Sequence, residues 1–170
     1  MRIREACPDD AEAIERVRVR GWQVAYRHIY PPASLDALPV DWSRWRERLL
    51  SPPAGWSLFV AEVEGPVRGF AVCGPSRDEE GTGELYALYV DPDAWSLGLG
   101  RALLAHTESR LTEKFASASL WVMDENPRAR SFYEQAGWTL DGATKPFEFA
   151  GVAAPAVLYR KPLRSSTSRP

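Results

Sequence analysis

Tyr89-Val90-Asp91-Pro92-Asp93-Ala94-Trp95-Ser96-Leu97-Gly98-Leu99-Gly100-Arg101-Ala102-Leu103-Leu104 runs from strand-forming residues through a glycine-bearing turn into a helix. Its strand half begins upstream: Glu84-Leu85-Tyr86-Ala87-Leu88-Tyr89-Val90 is rich in residues that favour strands, and Asp91-Pro92-Asp93 closes it. Its helix half carries Leu103, Leu104, Thr107 and Leu111 along its length. First-turn amides of a helix lack internal partners, and the helix dipole favours an anion there. Gly98 and Gly100 remove side chains, so a phosphate can come close to those amides. A tight strand-to-helix turn with no ligand would use the same glycines. Two familiar phosphate motifs are excluded. The dinucleotide fingerprint needs Gly or Ala where Leu103 stands, and the mononucleotide loop needs a Gly-Lys-Ser/Thr that this stretch lacks.

Outward from this stretch the period of the apolar residues alternates between helical and strand-like. On the N-terminal side, residues 1–6 read as a short strand with Ile3 inward. Cys7-Pro8-Asp9-Asp10 then starts a helix, with Pro in its first turn and acids at the positive end of its dipole. Ile14, Val17, Gly21, Val24 and Ala25 recur at helical spacing and carry that helix to about His28. Pro31-Pro32 ends it, and a second helical segment, broken at Pro39, spans Ser34 to Leu50. Ser57–Val63 and Val67–Cys73 flank Glu64-Gly65-Pro66 and read as a hairpin. On the C-terminal side come a strand at Ala118–Val122 and a helix at Pro127–Ala136 stopped by Gly137. Strands at Trp138–Leu140 and Pro155–Leu163 complete the order. Residues 1–163 read as one domain, and the Ser-rich residues 164–170 as a frayed tail.

A second informative segment is Asn126-Pro127-Arg128-Ala129-Arg130-Ser131-Phe132-Tyr133-Glu134-Gln135-Ala136-Gly137-Trp138. The first stretch resembles the acyl-CoA signature Gln/Arg-x-x-Gly-x-Gly/Ala of the GNAT N-acetyltransferase superfamily, preceded by Val-Asp-Pro. The second is similar to that family's Asn-x-x-Ala-x-x-Phe-Tyr-Glu-x-x-Gly-Phe segment. The resemblance covers roughly residues 1–163 and implies an α/β (α+β) domain with a mixed, mostly antiparallel sheet flanked by helices. The order β-α-α-β-β-β-α-β-α-β-β agrees with it. One departure stands out: Trp95 occupies the Gln/Arg position, where it either covers the sheet edge or stacks on the cofactor.

The resemblance implies acetyl transfer from acetyl-CoA to an amine of a small molecule or peptide; a non-catalytic acyl-CoA-binding module is the alternative. It implies that Leu88, Tyr89 and Val90 meet the pantetheine arm along the strand, as an added strand would. Ser96, Leu97, Gly98, Leu99, Gly100 and Arg101 would hold the pyrophosphate, and Asn126 would bond the pantetheine arm. Tyr133 would protonate the departing thiolate. Glu84 would take the amine's proton, directly or through water; it reads equally as an exposed strand-end carboxylate. Relatives that place an acid five residues before the Asn have no counterpart here, since that position is Trp121. Trp22 and Tyr26, four apart on one helix face, either pack the core or line the acceptor cleft. As a cleft lining they would suit a flat or cationic acceptor.

Composition narrows the classes further. With 170 residues, 45% apolar and 7 Trp, the chain can bury a sizeable core. A net charge of −2 argues against nucleic acid as partner. No apolar run approaches the ~20 residues that span a bilayer, and Met1-Arg2-Ile3-Arg4-Glu5 turns polar at once, unlike a secretion signal. Cys7 and Cys73 have no metal-ligand spacing and read as small buried hydrophobes in a reducing, cytosolic compartment. His28 and His106 read as structural, no metal is expected, and self-association into a homodimer is left open.

Overall fold

The computed structural model describes residues 1–163. Seven strands form one sheet: β1 (Arg2–Glu5), β2 (Ser57–Glu62), β3 (Val67–Pro75), β4 (Gly83–Val90), β5 (Ser117–Met123), β6 (Thr139–Phe149) and β7 (Val152–Pro162). They lie in the order β1-β2-β3-β4-β5-β7-β6. Every neighbouring pair is antiparallel except β4 with β5. The helices are α1 (Ala11–Ala25), α2 (Pro32–Asp36), α3 (Ser43–Leu50), α4 (Leu99–Thr112) and α5 (Pro127–Gln135).

Alternation along the central strands explains why both faces are covered. In β2, Leu58 and Val60 meet Ile14 and Val17 of α1 on one face. Phe59 and Ala61 point the other way, into a cluster with Leu103, Leu104 and Leu111 of α4 and Tyr133 of α5. A strand buried on both sides reads as a continuous apolar run, which Ser57–Val63 very nearly is. A third cluster joins Tyr30 and Leu35 to Met123, Ala154 and Ala156.

Several boundaries differ from the expectation. Pro8–Asp10 is a separate 3-10 turn, and α1 ends at Ala25, short of His28. The second helical segment is two short helices, the first starting on Pro32, where a ring-fixed φ suits a first helical residue. Val24, one of the residues at helical spacing, is 50% exposed. Cys7 is exposed whereas Cys73 is buried, so only the second behaves as a small buried hydrophobe. β6, with 11 residues, is much longer than the expected Trp138–Leu140, whereas β7 differs little from the expected Pro155–Leu163. The frayed tail expected over 164–170 lies outside the described residues.

Candidate active site

The site begins where the sheet parts. β4 pairs with β5 only through Gly83–Leu85 against Ala118–Leu120. Just there β4 carries an extra residue against β3: Val72 pairs with Ala87 and Cys73 with Leu85, which leaves Tyr86 as a bulge. A bulge bends its strand and sharpens its twist. From Ala87 to Val90, β4 keeps its bonds to β3 and leaves β5. The opening leads into a cavity of about 1210 Å³. That exceeds the ~300–1,000 Å³ of an ordinary single-ligand pocket and leaves room for two reactants.

One end of the cavity is the glycine turn. Asp91 is buried and accepts from the Asp93 amide (3.1 Å), Arg20 (3.0 Å) and Arg68 (2.9 Å), which anchors the end of β4. Beyond it, Ser96 (φ 69°) and Gly98 (φ 82°) both adopt left-handed backbone. Alternating left-handed residues curl the chain into a concave nest of amides. The first bond of α4 runs from the Ala102 amide to the Gly98 carbonyl, so the amides of Leu99, Gly100 and Arg101 lack i−4 partners. A Cβ placed on Gly98 would meet nothing within 4 Å, so the space above that amide is open. This cradle fits a pyrophosphate.

Along the cavity, Asn126 caps α5, its Oδ1 accepting from the Ala129 amide at 3.1 Å. Its amide nitrogen remains for a ligand. Tyr133 of α5 is 8% exposed and lines the cavity. Its hydroxyl makes no hydrogen bond among the described residues, and it is not sealed from the cavity. Burial, with Tyr89 nearby adding to it, raises its pKa well above the usual tyrosine range. The group therefore keeps its proton throughout neutral and mildly alkaline conditions.

The far end is aromatic. Trp22 donates from Nε1 to the Tyr89 hydroxyl (2.9 Å), and the Tyr26 hydroxyl lies 3.5 Å from the same oxygen. Trp22 and Tyr26 meet edge-on with centroids 5.1 Å apart, and Phe147 packs on Trp22 at 5.9 Å. Trp45, Phe70, Tyr86 and Trp121 extend this wall. Burial, followed by Tyr89, raises the Tyr26 pKa well above its ordinary value.

Glu84 departs from the exposed reading of it. It is fully buried rather than exposed, and it does not line the cavity. Its Oε2 accepts from the Arg77 amide (2.9 Å), and its Oε1 accepts from Arg77 Nε (3.1 Å) and Nη2. Both oxygens are thus held by Arg77, whose side chain reaches the cavity wall.

The profile of the Acetyltransferase (GNAT) family matches residues 18–138. The chain belongs to the GNAT acetyltransferase family. It is 38% identical over 156 residues to the uncharacterized N-acetyltransferase YuaI of Bacillus subtilis, covering 88% of this chain and 86% of that one. Among solved structures, the ribosomal-protein-alanine N-acetyltransferase of Brucella melitensis superposes with a TM-score of 0.77 at 25% identity, over 96% of this chain and all of that one. The paia N-acetyltransferase of Thermoplasma acidophilum, solved with coenzyme A, shares the fold at a TM-score of 0.74 and 18% identity, covering 95% and 98% of the two chains.

Of the residues expected in the site, the structure brings Leu88, Tyr89, Val90, Ser96, Gly98, Leu99, Gly100, Arg101, Asn126, Tyr133, Trp22 and Tyr26 to one GNAT cavity. Leu97 stays outside it with its side chain 59% exposed, so only its backbone could take part. Trp95, at the GNAT Gln/Arg position, donates from Nε1 to the Val90 carbonyl (2.9 Å), which is thereby engaged by the protein itself. The Arg128 guanidinium lies 3.8 Å above the Trp95 ring. Residues the sequence reading passed over are Arg18, Arg77, Lys145 and Phe147, together with His28, which it took as structural. Arg77 and Phe147 sit in segments without periodicity, so their only signal was residue type. Among the described residues no group of three His, Cys, Asp or Glu could hold a metal, and no helix is long and apolar enough to cross a membrane.

Proposed function

We propose that this enzyme transfers the acetyl group of acetyl-CoA to a primary amine of a small molecule or peptide. The observation that carries the reading is the unbonded Tyr133 hydroxyl, open to a cavity that runs from the amide nest before α4 to the aromatic wall on α1. The nest and Arg101 bind the pyrophosphate as a charge-assisted acceptor. Leu88 and the free margin of β4 take the amide-bearing pantetheine arm, with the Asn126 amide nitrogen opposite. The thioester carbon then lies near Tyr133, and the amine enters past Trp22 and Tyr26.

In the transfer an N–C bond forms and the C–S bond breaks. The Tyr133 hydroxyl, which its raised pKa keeps protonated at neutral pH, gives its proton to the departing sulfur. The amine loses a proton in the same step. With both Glu84 oxygens held by Arg77, we assign Glu84 the water-mediated route rather than direct abstraction. The unpaired cysteines suit a reducing compartment, and we place the enzyme in the cytosol.

The test is release of free CoA thiol from acetyl-CoA in the presence of a panel of amines, with product mass confirming one added acetyl group. Binding of acetyl-CoA with no thiol release from any amine would assign the chain to non-catalytic acyl-CoA binding.

A further inference from the structure

The charge lining the cavity is one-sided. Among the described residues Arg18, Arg77, Arg101, Arg128 and Lys145 line it, and no Asp or Glu does. Arg101 and Arg128 stand at the nest and beside Trp95, where phosphates account for them. Arg18, Arg77 and Lys145 stand at the aromatic end, and the cofactor reading gives them no task. Each rides on a wall aromatic: Arg18 at 5.4 Å from the Trp22 centroid, Arg77 at 4.9 Å from Tyr86, and Lys145 at 4.1 Å from Trp121.

These cations are held from behind. Glu15, 4% exposed, accepts from Arg18 Nε (2.8 Å) and Nη2 (2.6 Å). The buried Glu84 accepts from Arg77 through the same pair of nitrogens. Asp78 lies 3.1 Å from Lys145. In both arginines the fork grips a buried carboxylate through Nε and Nη2, while Nη1 has no partner among the described residues. A guanidinium fixed in this way has lost its rotamer freedom in advance and offers a ready donor pair to a planar anion. The surroundings add to the bias. Burial first, then the neighbouring Arg44 and Arg77, lower the Arg48 pKa, so further guanidinium groups neighbour Arg77 although neither Arg44 nor Arg48 lines the cavity. Neither Arg44 nor Arg48 has an ion-pair partner among the described residues.

We propose that the acceptor is a primary amine that also carries an anionic group, a carboxylate or a phosphonate, and that Arg77 and Arg18 read that anion. This rests on the amine-acetylation reading above and narrows it. It reverses the expectation of a cationic acceptor drawn to Trp22 and Tyr26: those rings hold the body of the molecule, and two of the three cations beside them are already stacked on Trp22 and Tyr86. It also eases the proton problem left by the engaged Glu84. A cavity lined by cations and no carboxylates favours the neutral amine over the ammonium, so a weaker base suffices.

The experiment uses the full chain, saturating acetyl-CoA and two matched acceptor series, one built on phenylalanine and one on methionine. Each series contains the amino acid, its amide, its decarboxylated amine and its aminophosphonate analogue. We expect the carboxylate or phosphonate member to exceed its amide and decarboxylated partners in kcat/KM by more than tenfold in at least one series. Whichever of the two leads identifies the anion. Arg77→Ala alone would strand a buried carboxylate and could fail to fold, so the variants are R77M/E84Q and R18M/E15Q. Taking the ratio between matched substrates cancels any change in proton transfer common to both. The acid preference should fall at least fivefold in R77M/E84Q, with acetyl-CoA affinity retained. Equal or better turnover of the neutral and decarboxylated members by the wild type overturns the proposal while leaving amine acetylation standing. So does an acid preference undiminished in both double variants. Silence across every series, with acetyl-CoA still bound, overturns this inference, and amine acetylation falls with it only where the broader amine panel is silent too.

Discussion

Trp95 Nε1 donates to the Val90 carbonyl at 2.9 Å, so the residue that replaces the GNAT signature's polar side chain folds back onto the strand. The same ring carries Arg128 on its face at 3.8 Å. Trp95 thus fixes the strand-to-helix turn and parks a cation beside the phosphate nest. Trp95→Ala should free both groups and weaken acetyl-CoA binding about three- to tenfold, equivalent to ~0.7–1.4 kcal/mol. Trp95→Phe, which keeps the ring under Arg128 but loses the bond, should fall between. Calorimetric affinities in the order wild type, Phe, Ala are the expected result. Equal affinity in all three would reduce Trp95 to a cover for the sheet edge.

Gly100 tests the nest directly. A Cβ there would sit 3.4 Å from the Phe132 ring, an ordinary contact, so the fold should accept a substitution. The branches of a valine would stand over amides that a pyrophosphate must reach. Gly100→Val should therefore lower acetyl-CoA affinity more than tenfold, about 1.4 kcal/mol or more, with melting temperature little changed. Unchanged affinity in a folded variant would place the pyrophosphate elsewhere.

On the proposed mechanism Tyr133 serves turnover and not binding. Tyr133→Phe should keep acetyl-CoA affinity and lower kcat about 10²-fold. The pH dependence separates its role from that of the amine. Because burial raises its pKa, the donor form persists above the ordinary tyrosine value near 10. Its stabilising contribution to the fold is likewise complete below about pH 10 and is lost as pH climbs toward the folded-state value. The rate should thus rise with pH as the acceptor ammonium deprotonates and show no fall below about pH 10. A fall below that pH in the wild type, absent from the Phe variant, would show that Tyr133 titrates in the working range.

Tyr26 turns out to be both wall and core. It packs edge-on against Trp22 (5.1 Å) and Tyr30 (6.2 Å) as well as lining the cavity. Tyr26→Ala should therefore raise the acceptor KM and also cost about 2–3 kcal/mol, a drop of roughly 5–10 °C in Tm. A cleft-lining role alone would leave Tm nearly unchanged, and the packing is what adds the cost. Tyr26→Phe should recover the Tm but not the full acceptor affinity. A KM that neither variant moves would leave Tyr26 to the core alone.

The two cysteines should react very differently. Cys73 is buried and its thiol is pushed up to about 12 by desolvation, so it stays a thiol and out of reach. Cys7 is exposed. A disulfide reagent at pH 8 should label one cysteine per native chain quickly and the second only on denaturation. Rapid labelling of both would contradict the packing under β3.

The cofactor half of the site was legible because its chemistry is carried by backbone. Gly98 and Gly100 announce a strand-to-helix turn through residue type and spacing, and that turn forms where expected, whereas the capping role of Asn126 comes from the structure alone. The acceptor half is built by side chains that converge from distant segments, Arg18 and Trp22 of α1, Arg77 before β4, and Lys145 and Phe147 of β6, and no local period marks such a convergence. The same difference explains β6. Its residues are exposed on almost every position of both faces, so no alternation of apolar and polar side chains showed its eleven-residue length. The burial of Glu84 was hidden for another reason: a carboxylate at a strand head reads as exposed, and nothing in the sequence tells that Arg77 returns to cover it.

The parting of β4 from β5 gives the sheet a third margin in its interior, besides those at β1 and β6. A sheet missing one strand from its middle gains stability from whatever completes it. A ligand that adds itself there stabilises the native state in proportion to the logarithm of its concentration, about 2.7 kcal/mol at a hundred times its Kd. On the proposed binding mode, resistance of the protein to unfolding and proteolysis should rise with the acetyl-CoA supply around it. Cells rich in acetyl-CoA should hold more of this enzyme than starved cells expressing the gene equally, an adjustment of capacity to supply that needs no regulator.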